Sequence, residues 1–146
     1  MGPGGPGVDG ASAAVELLLV TPLILGVIAV IVFGGRVWLA RQAVTSAAAE
    51  AARTASIART QAQAQADAAA GAARMLADQD VHCVSQTVQV DLTGFSAPVG
   101  TPASVSATVT CVVDLADLAV PGIPGSQAVT ATMTSPLDTY RARSTR

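Results

Sequence analysis

The stretch that decides the fold is Leu17–Gly35, LLLVTPLILGVIAVIVFGG, nineteen residues without a charged side chain. A helix needs about 20 apolar residues to cross the hydrocarbon core of a bilayer, which is about 30 Å thick. Pro22 and Gly26 are tolerated in such a helix because neighbouring helices can satisfy the freed backbone groups. The run therefore predicts a transmembrane helix, which we place at residues 11–35.

Residues 1–10, MGPGGPGVDG, are rich in glycine and proline and predict a flexible leader. A cleaved secretory signal is the alternative for this end of the chain. Such a signal has a basic first segment and an apolar core of about 7–15 residues. Here no basic residue precedes the longer apolar run, and Arg36 and Trp38 after it resemble interface anchors. The flanks therefore favour a retained anchor.

The segment after the apolar run is rich in alanine and contains no proline up to residue 77. Small apolar residues recur there in steps of three and four, which predicts one helix over residues 36–80 that continues the span. The alanine face favours the close approach of a partner helix, of this chain or of another. Gly71 is where we expect the helix to end or bend. The stripe consists of Ala40, Val44, Ala48, Ala51, Ala55, Ala58, Ala62, Ala66, Ala69, Ala73 and Leu76.

Beyond residue 80 the period changes from about 3.6 to two, in three runs at residues 84–92, 105–115 and 129–134. Glycine and proline mark the connections at 94–102 and 121–125. Because no helix-length crossover separates the runs, the sheet should be antiparallel. The predicted fold is α+β: a long N-terminal helix, transmembrane in its first half, followed by a small domain at residues 81–146 with three or four strands.

The two cysteines offer this domain a covalent staple. Hydrophobic residues make up 51% of the chain but aromatic residues only 3%, so burial contributes little free energy per residue. Cys83 and Cys111 lie in the part that a single N-terminal span would export, where an oxidising compartment would let them pair. The bridge would close a loop of about 29 residues, worth roughly 3 kcal/mol. Cys83 has the wrong parity for its strand, which predicts a bulge or an earlier strand start.

Several function classes are disfavoured. The net charge is −2, no lysine is present and the arginines are scattered, which argues against nucleic-acid binding. The one cluster of reactive side chains is Asp78, Asp80, His82 and Cys83, with the only histidine of the chain. Strand alternation would send His82 and Cys83 to opposite faces, whereas a metal site or a Cys-His pair needs them to converge. We therefore expect no enzyme, metal, cofactor or small-molecule substrate.

Glu16 stands at the mouth of the apolar run, and a carboxylate beside a transmembrane segment is a functional hypothesis by default. The simpler interpretation of Glu16 is that its side chain lies in the lipid headgroup region. The context adds to the functional hypothesis. The stretches GASAAVELLLVTPLIL and AVTSAAAEAARTAS resemble the N-terminal signature of TadE-like proteins, which are pseudopilins of the Tad (Flp) branch of type IV pilus systems. The most specific part is A-A-V-E-x-x-x-x-x-P, Ala13–Pro22, and the resemblance continues through CVVDLADLAVPGIPG and TATMTSPLDTYRAR.

The resemblance implies a maturation step. In that family a membrane prepilin peptidase removes a short leader on the cytoplasmic side, and a glutamate at the fifth position of the new helix pairs with the free amine of a neighbouring subunit. A buried carboxylate accepts burial when an ammonium group neutralises it. Cleavage after Gly10 makes Glu16 the sixth residue, and cleavage after Ala11 makes it the fifth. Glu16 and Pro22 are then the expected packing residues in the membrane.

The expected function is a minor pilin-like component of the cell membrane that assists assembly of a Tad pilus. Its partners would be other pilin-like subunits and the prepilin peptidase, with the C-terminal domain outside the cytoplasm. Arg36 and Arg41 follow the span, and the positive-inside rule would place them in the cytoplasm. The alternatives are an uncleaved, membrane-anchored envelope protein with a ligand-binding or structural domain, and a secreted protein cut after the apolar run.

Overall fold

A computed structural model describes residues 8–114, 116 and 125–142 of the protein, with side chains from residue 15 onward. Helix α1 spans Val8–Ile57 and helix α2 spans Gln61–Asp78. Three strands follow, β1 at Ser85–Asp91, β2 at Ser104–Asp114 and β3 at Ser126–Pro136, with a short 3-10 helix at Thr93–Ser96 after β1. The predicted α+β class, a long apolar helix followed by a small antiparallel sheet, is confirmed.

The chain divides into two compact units, the first ending at Gly35 and the second beginning at Arg36. The first contains the start of α1, which begins at Val8, so the flexible leader predicted for residues 1–10 is wrong for Val8–Gly10. Proline is the strong helix breaker, and the last proline before α1 is Pro6, whereas an isolated glycine such as Gly10 only weakens a helix. The rest of the predicted leader lies outside the described residues.

The second unit contains two helices where the sequence predicted one. Helix α1 ends at Ile57, and α2 begins at Gln61 after Thr60, whose backbone is extended. The Thr60 hydroxyl oxygen accepts a hydrogen bond from the backbone N–H of Gln63 at 3.1 Å. A threonine in this N-cap position satisfies one of the free N–H groups at a helix start, which favours a new helix over continuation. The prediction of one helix over 36–80 is therefore corrected.

This break changes which alanines are buried. From Ala40 to Ala58 the predicted stripe is buried, but Ala62, Ala66 and Ala73 are exposed. Non-helical residues interrupt the advance of about 100° per residue, so the buried face of α2 takes a different phase. It consists of Ala64, Ala68, Gly71, Ala72 and Leu76.

Gly71 lies inside α2, so the helix end expected there from the sequence is wrong. A Cβ atom at Gly71 would lie 3.1 Å from the Thr54 hydroxyl oxygen of α1. The same hydroxyl lies within hydrogen-bond distance, 3.3 Å, of the carbonyl oxygen of Asp67 in α2. The absence of a side chain at Gly71 thus lets the two helices approach closely, and a partner of the alanine face of α1 is a helix of the same chain.

The strands form one antiparallel sheet in the order β1-β2-β3. Val88 of β1 is opposite Val109, which is opposite Ala131 of β3. The inward-facing residues of the central strand β2 are all buried, and with the alanines of both helices they form the core. The second predicted connection, 121–125, lies outside the described residues except for Gly125.

The outward-facing side of the sheet is lined by threonines. The Thr108 and Thr132 hydroxyl oxygens lie 2.8 Å apart, and those of Thr110 and Thr130 lie 3.0 Å apart. Such cross-strand hydroxyl pairs contribute a few tenths to about 1 kcal/mol each. The sheet therefore has one apolar face against the helices and one polar face, on which Asp91 and Asp114 stand at the ends of their strands.

Candidate membrane anchor and subunit-packing site

The apolar part of α1 exposes its large side chains. Leu18 is 75% exposed, and even Phe33 is 41% exposed. Within the described residues, one helix is long and apolar enough to cross a membrane, and none of its most apolar window, of mean hydropathy 2.8, is buried. A core helix of a soluble domain would be mostly buried, so this surface is compatible with a single-pass membrane anchor.

Glu16 and Pro22 both lie in this exposed part of α1, but on different faces. Six residues at 100° each separate them by about 240° around the helix axis. The Glu16 side chain is exposed and shares its face with Val20 and Leu23, which follow at four and seven residues. The structure therefore places the two predicted packing residues on different faces of α1, which meet at Leu23.

Pro22 forms part of a shallow depression on the helix surface. Pro22 and Gly26 are one turn apart, and the depression between them is lined by Leu23, Val27 and Val30. Proline has no N–H to donate to the carbonyl of the preceding turn, and glycine has no side chain. A glycine such as Gly26 lets the backbone of another transmembrane helix come close.

Gly10 and Ala11, the two predicted cleavage positions, lie within α1, the third and fourth residues of the helix. Both peptide bonds at which cleavage would make Glu16 the sixth or fifth residue are therefore helical. The side chains of these two residues are not among those described.

Cys83 and Cys111 form a disulfide, with Cα atoms 5.4 Å apart. Cys111 is fully buried at the centre of the inward face, whereas Cys83 precedes β1. Because Cys83 lies outside β1, strand alternation does not fix the face to which its side chain points. The predicted bulge or earlier strand start is therefore wrong. The Val84 N–H donates to the Val112 carbonyl oxygen at 2.7 Å, which holds this segment beside β2.

The cluster of Asp78, Asp80, His82 and Cys83 is the junction between α2 and β1. Asp80 adopts a left-handed conformation with φ of 54°, and the Val81 N–H donates to the Leu76 carbonyl oxygen at 3.0 Å. This is the way in which a helix C-terminus satisfies its last carbonyls. Among the residues described, no group of three or more His, Cys, Asp or Glu side chains could hold a metal ion. The Cys83 sulfur is in a disulfide and offers no thiolate.

Several contacts that fix the second unit were not expected from the sequence. Gln65 Nε2 of α2 donates to the Val88 carbonyl oxygen of β1 at 3.1 Å. The Ser135 and Ser56 hydroxyl oxygens, of β3 and α1, lie 3.1 Å apart. These are isolated polar residues without a motif, so no sequence pattern could have identified them.

Asp91, at the end of β1, accepts hydrogen bonds from the residue that starts the 3-10 helix. The Thr93 N–H donates to Asp91 Oδ1 at 3.0 Å. Bonds from the backbone and the side chain of Thr93 lower the pKa of Asp91 from its ordinary value of 3.8, because they stabilise the carboxylate.

The family model described as TadE-like protein matches residues 11–53. The N-terminal segment is therefore similar to TadE-like proteins. The matched residues include Glu16, Pro22, the apolar run and most of the alanine-rich part of α1, and they end before α2. No curated protein and no solved structure matches the chain. The TadE-like match and the apolar helix suggest a membrane protein associated with the Tad pilus. The TadE-like family is not known for enzymes.

Proposed function

We propose that the protein is a minor pilin-like component, a pseudopilin, that assists assembly of a Tad pilus by packing its helix against other subunits in the membrane. The observation that carries this proposal is the TadE-like match over residues 11–53, because it covers the anchor together with Glu16. The sheet domain then lies outside the cytoplasm, and a prepilin peptidase removes the leader after Gly10 or Ala11.

The disulfide supports export of the second unit. Disulfides persist in oxidising compartments such as the periplasm and are rare in the cytosol. Arg36 and Arg41 argue the other way, because basic residues next to a span favour the cytoplasm. Long domains are translocated largely regardless of charge, and these arginines belong to a unit that folds as a whole. We therefore give more weight to the disulfide.

Glu16 is proposed to pair with the new N-terminal amine of a neighbouring subunit. A single carboxylate at the start of a lipid-exposed run is costly without a positive partner. Within the described side chains the nearest cation along α1 is Arg36, twenty residues further on. An amine of another subunit would supply the missing charge at the correct depth.

The helix surface available for this packing is narrower than the sequence suggested. The alanines from Ala40 to Ala58 are buried in the chain's own second unit, so they cannot also face a neighbouring helix. The remaining candidates are the Glu16 face and the depression at Pro22 and Gly26, both in the exposed apolar run.

The deciding experiment is mass spectrometry of the mature N-terminus in membrane fractions from cells with and without their prepilin peptidase. We expect a start at Ala11 or Ser12 that disappears without the peptidase, and the observed residue identifies the cleavage position. The Glu16→Gln variant, which removes the charge but keeps the shape, should be cleaved normally and yet fail to support pilus assembly.

One observation favours the second candidate, an uncleaved membrane-anchored envelope protein. Both candidate bonds lie inside α1, and a protease needs its substrate locally unwound. Helix ends fray, so cleavage there remains feasible, but at a cost that an uncleaved anchor does not have. An intact N-terminus in both strains would support the anchor and refute maturation by that peptidase. A start beyond Gly35 would identify a secreted protein.

A further inference from the structure

The first residues of the second unit line a small pocket together with the junction between α2 and β1. Helix α1 contributes Arg36 and Leu39, and the junction contributes Asp80 and His82. The cavity measures about 230 Å³, and Val113 of β2 also lines it. All of these residues belong to the compact unit that begins at Arg36. The pocket therefore lies within one unit of the chain.

The polar side chains of this pocket include two donors for phosphate and one acceptor for ammonium. Arg36 is already engaged within the protein, but a guanidinium has five N–H donors and can also pair with phosphate oxygens. The imidazole of His82 has at least one N–H donor in either protonation state. The carboxylate of Asp80 accepts hydrogen bonds and attracts a cation. All three side chains are exposed, so a ligand can reach them.

The junction that carries His82 is fixed before any ligand arrives. On one side of it, the Val81 N–H donates to the Leu76 carbonyl oxygen of α2 at 3.0 Å. On the other side, Cys83 is cross-linked to Cys111 of β2. His82 stands between these two attachments, so its backbone has little freedom to move. A group held in place in this way loses less conformational entropy when it binds a ligand.

Chain connectivity brings the pocket to the membrane surface. Arg36 follows Gly35, the last residue of the apolar run, within the continuous helix α1. The residue after a span lies at the interface in whatever direction the rest of the second unit extends. Trp38 and Leu39 are both exposed beside it, and tryptophan is enriched at this depth of a membrane. The pocket is therefore within reach of phospholipid headgroups.

We propose that this pocket binds a zwitterionic phosphate–ammonium group, which the membrane supplies as the headgroup of phosphatidylethanolamine. Arg36 and His82 donate hydrogen bonds to the phosphate oxygens, and Asp80 accepts hydrogen bonds from the ammonium group. Leu39 and Val113 contact the carbon atoms of the lipid beside these groups. The inference rests on the membrane anchoring in the proposed function and needs neither leader cleavage nor pilus assembly.

Two other common headgroups match the pocket less well. Phosphatidylglycerol has no cation, so nothing in its headgroup compensates the negative charge of Asp80. Phosphatidylcholine has the same charges as phosphatidylethanolamine, but its quaternary ammonium has no N–H group to donate to a carboxylate. The pocket should therefore prefer phosphatidylethanolamine to both.

The test measures lipid binding to the full-length protein in detergent micelles by native mass spectrometry. Short-chain forms of the three lipids are titrated separately, and the concentrations at half occupancy are compared. We expect phosphatidylethanolamine to bind about tenfold more tightly than either of the others, the factor that one charge-assisted hydrogen bond contributes. Equal affinity for the three lipids would overturn the proposal. This comparison uses the unaltered protein, so it does not depend on the folding of a variant.

O-phosphoethanolamine, which is the headgroup alone, distinguishes a lipid from a soluble ligand of the same chemistry. The lipid should bind more tightly than this compound, because Leu39 and Val113 also contact its carbon atoms. Equal binding of the two would support the chemistry of the pocket and overturn the membrane as its source.

Three variants assign the preference to the pocket. Arg36→Gln should weaken binding of phosphatidylethanolamine about tenfold, because one charge-assisted hydrogen bond is lost. The matched control Arg41→Gln removes the same charge five residues further along α1, in a different groove, and should leave binding unchanged. Asp80→Asn should abolish the preference over phosphatidylglycerol, and asparagine tolerates the left-handed backbone of this position.

Two further results would contradict the inference in different ways. Equal losses from Arg36→Gln and Arg41→Gln would indicate general attraction of lipids to a basic surface rather than a pocket. Protein that remains in alkali-washed membranes but shows no lipid preference would refute the pocket and leave the anchor in place. Recovery of the protein outside the membrane fraction would refute the anchor itself.

Discussion

The two parts of α1, residues 8–35 and 36–57, are both rich in apolar residues but differ in the size of those side chains and in their environment. The half before Gly35 is rich in Leu, Ile and Val and leaves them exposed, as at Leu18 with 75%. The half after Arg36 is rich in alanine, and its alanines at 47, 48 and 51 are fully buried. Large apolar side chains suit a lipid environment, whereas small side chains let two packed helices, or a helix and a sheet, approach closely. Richness in apolar residues alone therefore does not distinguish a segment that exposes its side chains from one that buries them.

The largest effect should come from charging the exposed half. Replacing Ile24 and Val27, both 52% exposed, with arginine should cost about 6 kcal/mol of insertion free energy, at about 3 kcal/mol for each arginine near a span centre. The variant should be lost from the alkali-washed membrane pellet, measured by immunoblot. The matched pair Ala66→Arg and Ala73→Arg, on exposed positions of α2, should stay in the pellet. Retention of the first pair would show that this half does not face lipid.

The next effect concerns the Cys83–Cys111 disulfide, which cross-links the second unit. Replacing Cys83 and Cys111 with alanine should lower the free energy of unfolding of the second unit by about 3 kcal/mol, because the closed loop no longer restricts the unfolded chain. Denaturant unfolding in detergent, followed by circular dichroism, measures the change. Reductant should destabilise the natural protein by a similar amount and leave the variant unaffected. A loss below about 1 kcal/mol would mean that packing by itself holds this unit.

A smaller effect should follow from enlarging one buried alanine. Ala51→Leu places three more carbon atoms where the native side chain is 0% exposed, and overpacking of this kind costs about 1–3 kcal/mol. The converse change in the other half, Leu25→Ala, removes a side chain that is 61% exposed and should leave unfolding of the second unit unchanged. Equal responses in the two variants would contradict the difference between the halves.

The smallest effect should come from replacing a glycine, and Gly26 and Gly71 provide one such site in each unit. A Cβ at Gly26 meets no atom within 4 Å, whereas one at Gly71 meets Thr54 at 3.1 Å. Thr54 is held by bonds to the carbonyls of Glu50 and Ala51, so it cannot easily move. Alanine favours a helix by about 1 kcal/mol over glycine. The steric conflict with Thr54 should outweigh this gain, so Gly71→Ala should destabilise the second unit slightly. In a Thr54→Ala background the same change should be stabilising, and a coupling of zero between the two sites would refute the close contact.

Local patterns were enough for the number and type of elements, because each depends on a period within a short window. The three alternating runs became three strands, and the apolar run became the exposed part of α1. The break before α2 was missed, although Thr60 and Gln63 stand in a capping arrangement, because the alanine period appeared to continue across it. At the candidate site, the sequence identified Glu16 and Pro22 but not that they lie on different faces, since that depends on unbroken helix geometry.

By itself the sequence determined the long apolar helix, the α+β order of the elements and the pairing of two cysteines, because hydrophobic length, periodicity and residue type are properties of the chain. Tertiary structure alone decided which alanines are buried, which residue lies opposite Gly71 and which strand lies at the centre of the sheet. These depend on what another part of the chain places opposite each residue. Thr54 opposite Gly71 and β2 between the two edges are contacts between residues distant in sequence, and no local pattern encodes them.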